Sequence, residues 1–207
     1  MLLPAVLPNP PTVTRAPKLA LGRPRGFDPD AALRSALDLL WRQGYQASSM
    51  VDLTLAMGLS RSSFYAFFGS KHALLLAAVR CYADERFAAL AGCAAGHAEP
   101  RAAVQAMLAL IADVHSGSRG CLFVNAVTEL APGDADLLAF AQAHSARVGA
   151  LMTATVARLP GVADEADAAQ RAGAVLALAL GITMLRKTGV PAPQLKALLA
   201  QADHLLG

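Results

Sequence analysis

From residue 28 onward, apolar residues recur at spacings of three and four, and no stretch alternates with the period of two that a strand needs. Leu33, Leu37, Leu40 and Trp41 form the stripe of a first helix that starts at Asp28-Pro29-Asp30 and stops at Gly44. There the Asp28 carboxylate can cap an orphan N–H, and proline suits the first helical position because its own missing N–H would have no partner anyway. Two short helices follow. Ser48 or Ser49 caps the first, which carries Val51, Leu53 and Met57 and ends at Gly58; Ser60 caps the second, Arg61 to Phe68. Ser70 opens a fourth helix to about Leu90, with Leu74, Leu75, Val79, Tyr82, Phe87 and Leu90 inward, before a loop over 92–100. The pattern then predicts helices from Pro100 to about Ser116, Cys121 to Leu130, Asp134 to about Leu159, Asp164 to Thr188 and Gln194 to Leu206. The fold class is all-α.

Residues 1–26 break this pattern: they hold six of the twelve prolines and show no helical period. They read as a disordered arm carrying Arg15, Lys18, Arg23 and Arg25 without an acidic residue. Gly22-Arg23-Pro24-Arg25-Gly26 is compact enough to enter a DNA minor groove; the alternative is a solvated basic tail. Charge is uneven along the chain. Residues 1–80 carry nine basic and four acidic residues, a net +5, against nine and eleven, a net −2, over residues 81–207. Such asymmetry draws one half toward a phosphate backbone and keeps the other off it. Three cysteines at unrelated spacings define no disulfide or metal framework, so a reducing cytoplasm is the expected setting. The apolar run Ala172 to Leu185 contains two glycines and a threonine and reads as a buried helix, so no membrane partner is expected. The first seven residues, interrupted by proline and not preceded by a basic residue, make a poor secretory signal.

The two short helices carry the chemistry. Phe64 and Phe68, four apart, mark a buried side; Arg61, Ser62, Ser63 and Tyr65 then form a small, basic and aromatic face suited to hydrogen bonding in a DNA major groove. A three-helix head folded around Trp41, Leu53, Phe64 and Phe68 is expected. The stretch Gly44-Tyr45, Ser48-Ser49, Leu53, Gly58-Leu59-Ser60, Ser63-Phe64-Tyr65, Phe68-Gly69-Ser70-Lys71 and Leu74 closely resembles the DNA-binding signature of the tetracycline-repressor (TetR) family of bacterial regulators. Thr54, Leu55 and the pair Ala66-Phe67 depart from its usual pattern. The resemblance implies a helix–turn–helix head over residues 27–73 and a helical ligand-binding and dimerisation domain over 74–207. It implies double-stranded operator DNA as partner, a small-molecule effector that releases it, and a repressor acting as a homodimer. It favours phosphate contact by Lys71, whose ammonium adds to the free N–H groups of a helix start, and the Ser48-Ser49 pair is expected to do the same.

The resemblance does not transfer pocket residues. The residues themselves place Cys121 and Asn125 on one face of a short helix, with Phe87, Met107, His115, Phe140 and His144 on its neighbours, as candidates for a mainly apolar pocket with few polar anchors. Core packing is the alternative for each. Cys121, following Arg119 and Gly120 at a helix start, is either a sensor of electrophiles or a packing residue. Ala172 to Ile182 is apolar nearly all round, so the dimer is expected through the last two helices. No phosphate-cradling loop, HExxH or nucleophile elbow occurs, so no catalytic residue, metal or cofactor is expected. A small helical enzyme or a protein-binding adaptor, neither of which binds DNA, is the alternative class.

Overall fold

A computed structural model of the chain describes residues 27–115 and 117–207; Arg23, Arg25 and the rest of the basic arm lie outside the described residues. The described residues form ten α-helices and no strand: α1 (Pro29–Gln43), α2 (Met50–Ala56), α3 (Arg61–Phe68), α4 (Lys71–Gly96), α5 (Pro100–Ala112), α6 (Leu122–Leu130), α7 (Ala135–Val156), α8 (Glu165–Lys187), α9 (Ala192–Leu199) and α10 (Ala202–Leu206).

Their starts follow from the capping residues. Asp28 accepts from the N–H groups of Asp30 and Ala31, Ser60 from Ser63, Ser70 from Ala73, Asp134 from Leu137 and Asp164 from Asp167. Each satisfies an orphan donor, an effect of about 1 kcal/mol per cap. Ser49 rather than Ser48 opens α2, in a reciprocal capping box with Asp52. Gly44 ends α1 at φ +82, and a Cβ there would lie 3.1 Å from the Glu129 carboxylate. Only glycine suits both the turn and that approach.

Three boundaries differ from the pattern. The fourth helix does not stop at Leu90 but runs on to Gly96, because Cys93 and Ala94 still find apolar partners in the core. The next ends at Ala112, where Asp113 adopts a left-handed φ of 42°. The last predicted helix is two, α9 and α10; the break at Ala200-Gln201 lets Ala202 and Leu206 tuck under α8.

Two large apolar clusters, with a smaller third of Ala112, Ile182 and Leu195, hold the described residues together. One joins Leu53 and Phe64 of the head to Leu74 and Leu75 of α4, and extends to Ala126 of α6 and Leu137 of α7. The other packs Val104, Met107 and Leu108 of α5 against Met152 and Val156 of α7 and Ala168 to Ala179 of α8. Trp41 is not part of the head core as expected. It lies half-buried on the side of α1 that faces the rest of the chain, because Ala32, Ala36, Leu39 and Leu40 fill the inward stripe. Among the described residues, α8 alone is long and apolar enough to cross a membrane, and its buried face packs on α5, α7, α9 and α10.

Candidate functional site

The head presents α3 outward. Phe64 is fully buried and packs on Phe68, which fixes the rotation of the helix. Arg61, Ser62 and Tyr65 of the same helix are all exposed. Arg61 makes no hydrogen bond or ion pair among the described residues, so its fork of donors is available to a ligand. Ser62 and Ser63 are both within hydrogen-bond distance of Ser60 Oγ, at 3.0 and 2.9 Å. Lys71, at the first turn of α4, holds its ammonium 4.2 Å over the ring of Tyr45. Ser49 is exposed, but its hydroxyl is committed to Asp52 at 2.6 Å.

One expected phosphate contact fails on burial. Ser48 is 0% exposed and its hydroxyl donates to the Gly44 carbonyl at 2.7 Å, so it closes the α1–α2 turn instead. Among the departures from the family pattern, Leu55 is 80% exposed on α2, whereas Phe67 has a structural task, packing edge-on against Phe27 where the chain enters α1.

A polar seam ties the head to the helices beyond it. The Glu129 carboxylate accepts from the backbone N–H groups of Tyr45 and Gln46 at 3.1 and 2.8 Å. Trp41 donates its indole N–H to the Gly120 carbonyl at 3.2 Å and meets Tyr82 edge-on at 5.1 Å between ring centres. Arg119 stacks 4.4 Å over Trp41 and pairs with Asp38 at 3.1 Å. His72 of α4 meets Asp134 at 2.7 Å. The Leu137 backbone N–H, then His72, hold the Asp134 carboxyl below its usual range.

Behind this seam lies a cavity of about 180 Å³, bounded by α4, α5, α6, α7 and α8 and mostly apolar. Its polar groups are Tyr82, Arg86, Asp113, Cys121, His144, Ser145 and Arg186. Tyr82 donates to Cys121 Sγ at 3.6 Å; burial, then the neighbouring thiol, push its phenol up from the ordinary range. Burial, then the Arg147 guanidinium, lower the pKa of His144, whose Nδ1 lies 3.0 Å from Arg147.

Only Cys121 and His144 of the expected pocket residues line this cavity. Met107 is buried in the second apolar cluster. Phe87 lies under Arg147, Phe140 packs on Phe123 and His144, and His115 is exposed. Asn125 turns the other way, binding the Arg119 carbonyl and Lys187 beside an open cleft of about 390 Å³ at the seam. The Arg119 guanidinium expected near Cys121 is turned instead to Asp38 and Trp41. Missed in the sequence were Tyr82, read as part of an apolar stripe, and Arg86, Asp113 and Arg186, whose convergence depends on how α4, α5 and α8 pack. A buried arginine in α8 had one visible signal: it directly follows the apolar run Ala172 to Leu185.

An outward recognition helix coupled through its neighbour to a hollow helical body is the plan of a helix–turn–helix regulator. The pattern of bacterial regulatory proteins of the tetR family matches residues 32–78, from α1 into α4. Over 129 residues the chain is 36% identical to the HTH-type transcriptional repressor ComR of Escherichia coli (strain K12), covering 60% of this chain. That match spans 61% of ComR, less than two thirds of its length. The TetR family transcriptional regulator CifR, solved as a cysteine mutant complexed with 26 bp double-strand operator DNA, is 29% identical with a TM-score of 0.70, covering 89% of this chain and 98% of CifR. SCO4454 of Streptomyces coelicolor, at 20% identity and a TM-score of 0.76 over 86% of this chain and 93% of its own, shares the fold. Residues 32–78 thus carry the head of the tetR family of bacterial regulatory proteins, and over most of its length the chain is similar to TetR-family transcriptional regulators.

Proposed function

We propose that this chain is a cytoplasmic transcriptional repressor that binds operator DNA as a homodimer and is released by a small molecule held in the cavity. The observation that carries the reading is Arg61: an exposed arginine on α3 without a hydrogen bond or ion pair among the described residues, in a head similar to that of a regulator seen on its operator. Arg61 and Tyr65 would meet base edges, with Ser62 and Ser63 beside them. Lys71 and Ser49 would meet phosphates, and Arg23 and Arg25 the flanking minor groove. The domain division at residue 73 fits this split of tasks, although α4 runs through it.

The last helices supply the dimer surface. On α8, Ala172, Val175, Ala179 and Ile182 are buried, while Leu180 and Met184 are 46% and 47% exposed. Nothing lies within 4 Å of where a Cβ would stand on Gly173 or Gly181, which leaves room for a partner helix at close approach. Leu198 of α9 and Leu205 of α10 are also exposed. Two heads would then enter successive major grooves about 34–36 Å apart, or a multiple of that.

The cavity is coupled to the head through Tyr82, which lines it and touches Trp41 of α1. An effector that binds better when Tyr82 shifts would favour heads at another spacing. The test is a gel shift on the DNA upstream of this gene across a salt series. Binding should fall steeply with salt, and Lys71→Ala should weaken all DNA sequences alike and reduce the slope by about one. Salt-independent binding, or none, would remove the reading in favour of an adaptor.

A further inference from the structure

The cavity's electrostatics restrict what it can hold. Arg186 is 5% exposed, and its Nη1 is spent on the Asp113 carbonyl and carboxylate at the end of α5. Its Nε–H is the one buried side-chain polar atom among the described residues without a partner. A buried donor left unsatisfied is destabilising, more so on a charged group, and such groups in native proteins call for an acceptor. Arg86 lines the same cavity, donates to the Leu110 carbonyl and makes no ion pair among the described residues. Two guanidiniums therefore face one carboxylate, Asp113. His144 adds no further positive charge, since burial and Arg147 favour its neutral form. The remaining wall, with Leu90, Val148 and Leu176, is mostly apolar. One net positive charge in an apolar chamber is complemented by an anion with an apolar body. The size is limiting too: about 150 Å³ holds a benzene ring, so about 180 Å³ holds one ring or a short chain with a polar head.

We infer that the effector is a small monocarboxylate, an aromatic acid of one ring or a short-chain fatty acid, whose carboxylate is held by the guanidiniums of Arg186 and Arg86 that line the cavity while its body lies on Leu90, Val148 and Leu176. This rests on the effector reading above and is tested without DNA. Isothermal titration and thermal shift on the purified full chain compare benzoate and hexanoate with benzamide and hexanamide, which match them in shape but carry no charge. At least one acid should bind, its amide at least tenfold more weakly. Arg186→Gln should reduce the acid to the level of its amide, and Arg86→Met should weaken it less. Because Arg186 also holds the end of α5, the acid–amide comparison on the unaltered protein decides if that variant fails to fold. Equal binding of acid and amide, or no binding of any acid at millimolar concentration, overturns the inference. A gel shift with the bound acid keeps the two readings apart. DNA retained on a protein that binds the acid defeats effector release and leaves the assignment of the cavity standing.

Discussion

On α3 the two long polar side chains are idle, while around the cavity the polar groups are almost all engaged. Among the described residues Arg61 makes no hydrogen bond or ion pair and the exposed Tyr65 hydroxyl makes no hydrogen bond. In the cavity Tyr82 already donates to Cys121, Arg86 to Leu110 and Arg186 to Asp113. The contrast follows from solvent. An exposed guanidinium stays hydrated at no cost until a phosphate or base displaces water, whereas a buried one must be compensated inside the fold. A surface site can therefore be altered without touching stability, and a cavity site cannot.

The contrast is sharpest at neighbouring positions of one helix. Phe64→Ala should cost about 3–5 kcal/mol of folding stability, read from denaturant unfolding, because the side chain is fully buried among Leu53, Leu74 and Leu75. Arg61→Ala, three residues away, should leave the unfolding midpoint unchanged and weaken operator binding by about 1–3 kcal/mol in a fluorescence titration. A destabilised Arg61 variant would show that the arginine holds the head together, and the contrast would fail.

This difference also decides what the sequence could disclose. The head is a local structure. Its caps Asp28, Ser49, Ser60 and Ser70 lie within three residues of the donors they satisfy, and the four-residue spacing of Phe64 and Phe68 fixes which side of α3 faces out. Such contacts can be read from spacing alone. Even there burial decided some positions: nothing adjacent in sequence tells that Ser48 turns inward while Ser49 caps. The cavity joins residues 82, 86, 113, 121 and 186, which meet only because α4, α5 and α8 cross as they do. Trp41 looked like head core for the same reason: its stripe position is clear, but Gly120 and Tyr82, which receive it, come from distant segments. The helical class was legible throughout, since the period repeats along the chain and the longer helices carry side-chain caps.

The seam between the two regions offers a smaller effect. Glu129→Ala removes a carboxylate that accepts two backbone N–H groups at the α1–α2 turn. In this exposed setting the loss should be about 1 kcal/mol of stability. Its diagnostic consequence is separation: operator affinity and effector affinity should each persist, while the change in one caused by the other diminishes, measured as titrations with and without the second ligand. Undiminished coupling would place the connection elsewhere along α4.

The smallest effect is titration of His144. Its folded pKa is lowered by burial and by Arg147, so the unfolded chain binds the proton first. Stability from this residue is complete above the unfolded value near pH 6.5 and is lost as pH falls toward the folded value. Unfolding midpoints measured from about pH 7.5 down to about pH 5.5 should decline, and His144→Gln should flatten that part of the curve. An unchanged slope in the variant would transfer the dependence to another group.

Trp41 has an optical consequence. It is the single tryptophan of the chain. Its ring sits between Arg119 and Tyr82, with its indole N–H on a carbonyl one residue before Cys121. Indole emission responds to nearby charge, to hydrogen bonding and to access of water, and all three are set here by groups on the far side of the seam. The unlabelled protein therefore carries its own spectroscopic probe at the point where head and cavity meet. A ligand that displaces Tyr82 or Gly120 should change the colour or yield of that emission, and stopped-flow mixing would time the event against loss of DNA.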